Sequence, residues 1–280
     1  MDLLTDFVTP FILLYSADIA WLAPSIADWR SDHRQFTAFT NSSHRPKIHF
    51  IHRQPTKIYR QFTSTTWYRT FAMASRRRLR DQPRPLTVLV DMDGVLADFE
   101  GRWLEIFRER YPDEPFIKLE DRRTFYIDDQ YEDRYKTMSI IGANGFYGSL
   151  PPIEGACEAV QEMAQMDNVN VFLCSSPLVS NFEACAAEKA DWIARHLGRH
   201  WLRRLILTCD KTLVQGHVLI DDKHWITGTR VPMWEHVLFT ACHNKHIDLK
   251  GRERLDGWLP HQNWKAMIER FKLKYVPESR

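Results

Sequence analysis

The chain has 280 residues, 44% of them hydrophobic, and a formal net charge of +2. This length is sufficient for one substantial hydrophobic core with a subdomain. The charge is uneven, since residues 1–80 hold 12 Lys and Arg against 5 Asp and Glu, whereas residues 81–280 hold 26 against 31. The mildly acidic second part argues against a nucleic-acid polymer as a partner of the fold.

Residues 1–80 form a basic extension. No Asp or Glu occurs from 33 to 80, which is typical of an organelle transit peptide, although the aspartates near the start are unusual in such a signal. The apolar segment 7–27 contains two prolines and an aspartate, which argues against a membrane span. We expect the extension to be disordered or removed. Translation from Met73 predicts a cytoplasmic protein, and a cleaved transit peptide a mitochondrial one.

The five cysteines are widely spaced and form no CxxC pair, which favours a reducing compartment. The segment Cys-His-Asn-Lys-His at 242–246 has two interpretations, a zinc site or a loop after a strand. The loop is favoured, because a structural zinc site has four ligands with recognisable spacing.

The first element of the globular part is Leu86–Val90, a short apolar run that predicts a buried parallel strand. Aromatic residues then recur at every fourth position from Phe99 to Tyr111, which predicts a helix that stops at Pro112. Residues 112–150 combine charged and aromatic residues without strand alternation, which predicts a small helical insertion.

Beyond residue 150 helices and strands alternate. Strands are predicted at 169–174, 205–207, 218–220 and 237–239. Helices are predicted at 155–166, at 183–197 and around 264–271. This alternation predicts an α/β fold with a doubly wound parallel sheet, and such sheets bind ligands at the carboxyl ends of their strands.

Polar residues follow four of the predicted strands. In chain order they are Asp91 and Asp93, Ser175 and Ser176, Lys211, and Asp221 and Asp222. Each taken alone also fits a turn, a solvated charge or a surface loop. Crowded carboxylates repel unless a cation or a shared proton separates them. Their joint occurrence at strand ends therefore indicates a functional site.

This order of motifs resembles the haloacid dehalogenase-like hydrolases, which are mostly phosphatases. Within them the chain is similar to the 5′(3′)-deoxyribonucleotidases, in the runs VLVDMDGVLADFE at 88–100, YPDEPFIKLEDRR at 111–123 and WEHVLFTACHN at 234–244. The likeness covers about residues 86–272. It implies a hydrolase domain at 81–280 with a Rossmann-like core.

The resemblance further implies a helical cap at about 98–150 and Mg²⁺-dependent release of phosphate from deoxyribonucleoside 5′(3′)-monophosphates. Asp91 would be the nucleophile that forms an aspartyl-phosphate, and Asp93 the general acid and base. Mg²⁺ would be held by Asp91, Asp222 and the backbone carbonyl of Asp93, with Asp221 supporting its water shell.

The implied substrate contacts fall into two groups. Phosphate oxygens would be bound by Ser175 and Lys211, with further contacts from Ser176 and Lys189. The base and sugar would contact an aromatic wall formed by Phe99, Phe125, Tyr126 and Tyr147. Backbone groups near Ile127 would add further contacts. These aromatics also fit plain core packing. An apolar wall beside C2′ would disfavour a ribose hydroxyl, which would lose its hydrogen bonds to water.

Two departures from the family bear on substrate identity. Cys209 stands where the family has arginine, and residues 129–148 diverge from its cap in length and content. Two alternatives therefore remain open: a phosphatase for another small phosphomonoester, and a catalytically silent binding protein. The expected partner is a small nucleotide, and the resemblance implies a homodimer without membrane association.

Overall fold

The structure is a computed structural model, and it describes residues 84–276. The basic extension 1–80 and the alternative start at Met73 lie outside the described residues. Within this range the strands form one parallel sheet in the order β3-β2-β1-β4-β5-β6. The strands are β1 (Leu86–Val90), β2 (Val169–Ser175), β3 (Leu205–Leu207), β4 (Val218–Asp221), β5 (Glu235–Phe239) and β6 (Arg254–Leu255). The predicted parallel α/β sheet is confirmed.

The helices of the described part flank this sheet. They are α1 (Phe99–Arg110), α2 (Arg134–Ile141), α3 (Ala156–Met163), α4 (Phe182–His196) and α5 (Trp264–Tyr275). The sequence predicted a longer α3, extending to Met166. The helix ends at Met163 because the next residues form turn hydrogen bonds, and Asn168 then adopts a left-handed φ of 57° that redirects the chain into β2. Strand β6 was not anticipated, since its two residues carry no periodic signal.

Side chains of the central strand β1 alternate between two apolar clusters. Val88 and Val90 belong to the large core, which also contains the buried faces of the helices. Leu89 points to the opposite face, where it clusters with Leu219 and Trp234. Both faces of β1 are therefore buried, as its uninterrupted apolar sequence predicts.

The segment between β1 and β2 leaves the sheet and returns to it at adjacent positions. Ala97 forms an isolated antiparallel bridge with Pro152, and the Asp98 N–H donates to the carbonyl of Pro151 at 2.8 Å. The Asp98 side chain also caps α1 by accepting from the Gly101 N–H at 2.9 Å. Helices α1 and α2 lie within this insertion, which we name the cap (98–150). Its two connections to the sheet lie beside the carboxyl end of β1.

The helices of the described part are short relative to the thickness of a bilayer. The longest, α4, has 15 residues, whereas a transmembrane helix needs about 20. No helix within 84–276 is both long and apolar enough to cross a membrane.

Candidate active site

Strand order brings three of the sequence motifs to one edge of the sheet. Asp91 follows β1 directly, Ser175 ends β2, and Asp221 ends β4. Strands β2 and β4 are the two neighbours of β1, so their carboxyl ends lie side by side. The Asp91 N–H donates to the carbonyl of Ile220 at 2.9 Å, which extends the ladder to the first acidic residue. Motifs that are far apart in sequence thus lie at one edge of the sheet.

Three carboxylates converge there. Asp91, Asp221 and Asp222 each place one oxygen within 4.8 Å of the others, and no other group of this kind occurs among residues 84–276. Asp91 Oδ1 is buried and makes no hydrogen bond, although Lys211 Nζ lies 2.9 Å away. Beyond this ion pair, the carboxylate oxygen keeps lone-pair capacity for a further partner. The all-oxygen donor set fits a hard divalent cation such as Mg²⁺.

Gly94 allows the acidic residues to approach the β1 loop. Its φ is +73°, a left-handed conformation that glycine adopts without strain. A Cβ atom at this position would lie 2.2 Å from Asp222 Oδ2. The glycine after the Asp-x-Asp motif is thus required both by the turn and by the adjacent carboxylate.

Lys211 supplies the positive charge among these acids. Its Nζ lies 2.5 Å from Asp221 Oδ2 and 2.9 Å from Asp91 Oδ1, in a buried position. Burial lowers the pKa of Lys211, but the carboxylates of Asp221 and Asp91 outweigh it and raise that pKa overall, so the ammonium group stays charged. Burial raises the pKa of Asp91 and, to a greater extent, that of Asp222. A cation here would favour the ionised forms.

Asp93 is held by a different lysine. Lys189, on α4, is fully buried and donates to Asp93 Oδ2 and, at 3.1 Å, to Ser175 Oγ. Its Nζ also lies 4.8 Å from the centroid of the Tyr147 ring. Burial raises the pKa of Asp93, and the nearby Lys189 only partly offsets this. Lys189 thus reaches the site through Asp93 and Ser175.

A cavity of about 1090 Å³ opens above these groups. Of the residues that the sequence predicted for the site, all but Lys189 line it: Asp91, Asp93, Phe99, Phe125, Tyr126, Tyr147, Ser175, Ser176, Lys211, Asp221 and Asp222. Ser175 is buried, whereas Ser176 is exposed. Phe99 also packs edge-on against Phe146, with ring centroids 5.2 Å apart. Phe99 therefore serves both the core of the cap and the cavity wall.

Cys209 lies on the same wall. Its side chain is exposed, and it lines the cavity together with Lys211. The departure from the family pattern therefore falls inside the cavity, where it can affect what binds.

Lys223 contacts a cluster of three aromatic rings, Phe125, Tyr126 and Trp225. The sequence did not predict the contribution of Lys223 and Trp225. The Lys223 Nζ lies 4.8 Å, 4.9 Å and 5.3 Å from the ring centroids of Phe125, Tyr126 and Trp225. It also donates to the Tyr126 hydroxyl at 2.8 Å. These contacts join the cap to the segment that follows β4. The only sequence signal was an aromatic residue close to the second acidic pair.

His243 and Asn244 are the other residues that sequence reasoning missed. His243 Nε2 lies 3.0 Å from Asp222 Oδ2, and Asn244 Nδ2 donates to the backbone carbonyl of Asp222 at 2.7 Å. Burial lowers the pKa of His243 to about 4, so its imidazole is neutral at pH 7. Both belong to the turn Cys242–Asn244 that follows β5, in agreement with the loop interpretation of this segment.

A buried ion pair fixes the part of the cap that carries Phe125. Arg122, which is 1% exposed, donates to Glu100 Oε2 at 3.0 Å and to Glu100 Oε1 at 3.2 Å. It also donates to Gln130 Oε1 at 2.6 Å and to the carbonyl of Thr124 at 3.1 Å. Each nitrogen of the guanidinium group thus has an acceptor, and the group ties α1 to the loop that forms the aromatic wall.

The parallel sheet and the four motifs at its edge are those of one class of phosphatase. Haloacid dehalogenase-like phosphatases carry an Asp-x-Asp loop, a Ser or Thr, a Lys and an acidic pair at the carboxyl edge of a parallel sheet, and this chain has all four there. The family model described as "5' nucleotidase, deoxy (Pyrimidine), cytosolic type C protein" matches residues 84–273. The chain belongs to this family, which confirms the resemblance seen in the sequence.

Named relatives agree with this assignment. The chain is 49% identical to the mitochondrial 5'(3')-deoxyribonucleotidase of Homo sapiens over 193 residues, which are 66% of this chain and 83% of the relative. It is 46% identical to the human cytosolic type, over 66% of this chain and 94% of the relative. The mitochondrial protein of Mus musculus is 46% identical, over 70% and 91% respectively. The chain is thus an enzyme, a phosphoric monoester hydrolase of the 5′-nucleotidase kind.

Proposed function

We propose that the chain is a Mg²⁺-dependent phosphatase that converts deoxyribonucleoside 5′(3′)-monophosphates into deoxynucleosides and inorganic phosphate. One observation carries this proposal: the carboxylates of Asp91, Asp221 and Asp222 converge beside Lys211 at the base of an aromatic-walled cavity. The substrate class is taken from the relatives, which are named 5'(3')-deoxyribonucleotidases.

The metal-binding residues are taken from the resemblance to the family, and the convergence of Asp91, Asp221 and Asp222 supports them. Asp91, Asp222 and the backbone carbonyl of Asp93 would hold Mg²⁺, with Asp221 supporting its water shell. When bound, the ion supplies positive charge that offsets repulsion between the carboxylates and the phosphate dianion. Lys211 adds a second positive charge on the same side, and it would neutralise the phosphate oxygens as charge shifts in the transition state.

The reaction has two displacement steps. In the first, a carboxylate oxygen of Asp91 attacks phosphorus, the bond from phosphorus to the nucleoside oxygen breaks, and Asp93 gives its proton to that oxygen. In the second, Asp93 takes a proton from water, the water oxygen attacks phosphorus, and the bond to Asp91 breaks to release phosphate. Burial raises the pKa of Asp93, which favours the protonated form that the first step needs.

The remaining polar residues would hold the phosphate group. Ser175 and Ser176 would donate to its oxygens, and both line the cavity. Lys189 bonds to Asp93 and Ser175, so it would fix the acid and the phosphate-binding hydroxyl relative to each other. We propose this positioning role for Lys189 in addition to the phosphate contact expected from the resemblance.

The cavity wall supports a nucleoside as the leaving group. Phe99, Phe125, Tyr126 and Tyr147 offer aromatic surface on which a base and sugar can pack. Ile127, Met138 and Ile141 also line the cavity with apolar surface. A 2′-hydroxyl placed against such surface would lose hydrogen bonds to water without replacement, which favours deoxyribonucleotides.

Phosphate release from deoxy- and ribonucleoside monophosphates tests the proposal. The full chain with Mg²⁺ should release phosphate preferentially from the deoxynucleotides, and EDTA should abolish the release. Asp91→Asn should reduce it by about 10³-fold or more, as expected for loss of a nucleophile. Asp191→Asn is the matched control, because Asp191 is exposed on α4 and lies outside the cavity lining.

Three other outcomes of this assay would contradict parts of the proposal. Release from other phosphomonoesters alone would retain the mechanism and exclude the substrate class. Equal rates with ribonucleotides would exclude the role of the apolar wall. The absence of release from any substrate by folded, Mg²⁺-loaded protein would indicate a silent binding protein.

We also propose a homodimer in the cytoplasm, with a mitochondrial location as the alternative. The relatives include mitochondrial and cytosolic types, which leaves both locations possible for this family. Light scattering after size exclusion measures the oligomeric state, and a monomer would exclude the dimer. Fluorescent fusions that begin at Met1 or at Met73 distinguish the two locations.

A further inference from the structure

His243 occupies a position that is costly for a histidine. It is 2% exposed, and its Nδ1 is buried without a hydrogen-bond partner. A buried polar atom without a partner costs about 1–3 kcal/mol. An apolar side chain of similar size would avoid this cost, so packing alone does not account for the imidazole.

The other ring nitrogen has a specific partner. Nε2 lies 3.0 Å from Oδ2 of Asp222. When that carboxylate is ionised it can only accept, so Nε2 carries the hydrogen and donates it. The same Oδ2 faces Gly94, where a Cβ atom would approach to 2.2 Å. Asp222 is therefore confined between a glycine on one side and a histidine donor on the other.

Neighbouring residues fix the orientation of this donor. Asn244 is fully buried and donates to the backbone carbonyls of Asp222 at 2.7 Å and Phe239 at 2.8 Å, which anchors the turn that carries His243. The ring of Phe125 packs edge-on against the imidazole, with centroids 5.4 Å apart and an interplanar angle of 89°. The histidine is thus held between the end of β4 and the aromatic wall of the cap.

We propose that His243 is a positioning residue that orients the Asp222 carboxylate for Mg²⁺, an inference that rests on the proposed function. Its Nε2–H holds Oδ2 and so limits rotation of the carboxylate, one oxygen of which lies within 4.8 Å of oxygens of Asp91 and Asp221. Hydrogen-bond partners of metal ligands of this kind contribute 10–100-fold to metal affinity.

Mg²⁺ affinity tests this role directly. Calorimetric titration of the substrate-free full chain should give a Kd that is about 10–100-fold higher for His243→Leu than for the wild type. His243→Gln should restore most of the affinity, because its side-chain N–H can donate from a similar position. In activity assays His243→Leu should need more Mg²⁺ for half-maximal rate, while kcat at saturating Mg²⁺ stays close to the wild-type value.

His217→Leu is the matched control. His217 also makes one hydrogen bond, in which its Nδ1 accepts from the Thr87 N–H at 2.8 Å, but it lies at the amino end of β4. This variant should keep the wild-type Kd for Mg²⁺ even if its thermal stability falls. A purely structural role of His243 would likewise lower stability and leave the Kd unchanged.

The outcomes separate this inference from the proposed function. If the wild type binds Mg²⁺, Asp222→Asn loses it and His243→Leu keeps the wild-type Kd, the positioning role is wrong and the proposed function stands. The same conclusion follows if His243→Gln binds no better than His243→Leu. If the wild type itself binds no Mg²⁺, the metal-dependent function fails, and the role of His243 fails with it.

Discussion

Replacing Arg122 by methionine should strongly destabilise the folded protein. The side chain of Arg122 is almost fully buried, and it makes two hydrogen bonds to Glu100 as well as bonds to Gln130 and Thr124. The variant would leave the Glu100 carboxylate buried without its cation. Removal of one partner of a buried ion pair typically costs 3–5 kcal/mol, so we expect the free energy of unfolding to fall by about 4 kcal/mol.

Urea denaturation followed by tryptophan fluorescence measures this loss. Arg134→Met is the matched control, because Arg134 pairs with Asp128 in the same cap but its side chain is 73% exposed. An exposed pair contributes about 0–1 kcal/mol, so the control should unfold close to the wild-type midpoint. The double variant Arg122→Met/Glu100→Leu should recover part of the loss, since it leaves no charge unpaired.

The same substitution should affect substrate binding. Because Arg122 anchors the loop that carries Phe125, the variant should raise KM for a deoxynucleotide more than it lowers kcat. An unfolding free energy within 1 kcal/mol of the wild type would refute the assignment of Arg122 as the cation of a buried ion pair with Glu100. An unchanged KM in a clearly destabilised variant would refute only its link to the cavity wall.

Three further predictions concern other parts of the molecule. Gly94→Ala should lower the free energy of unfolding by about 1–2 kcal/mol, because alanine is strained at the left-handed φ of this position. The variant should also weaken Mg²⁺ binding by displacing Asp222, and a wild-type Kd for Mg²⁺ would contradict this. Trp258→Phe should lower the unfolding free energy by about 1–3 kcal/mol, because the buried carbonyl of Val95 loses its 2.7 Å hydrogen bond; unchanged urea midpoints would contradict it. Hydrogen bonds from a threonine side chain and from backbone N–H groups lower the pKa of Asp210 from 3.8 to about 2. The stability that these hydrogen bonds contribute is present above pH 4 and is lost toward pH 2. Between pH 5 and pH 3 the Tm of Asp210→Asn should therefore fall less than the Tm of the wild type. Parallel Tm curves for the two proteins would contradict this.

The fold class and most residues of the candidate site were predictable from the sequence. Apolar runs and four-residue periodicity located the strands and helices, because these patterns directly reflect which faces are buried. The order of the motifs along the chain was enough to assign Asp91, Ser175, Lys211 and Asp222 to one site, since parallel strands bring their carboxyl ends to a common edge. The glycine after Asp93 likewise indicated a tight turn there.

The side chains that support these groups could not be predicted, because they reach the site through tertiary contacts. Lys189 reaches Asp93 from the middle of a helix, and His243 reaches Asp222 from a turn after the neighbouring strand. Lys223 is enclosed by rings that belong partly to the cap. Such contacts depend on strand order, on helix placement and on irregular loops. No periodic pattern records them, because a periodic pattern encodes burial along one element and not the contacts between elements.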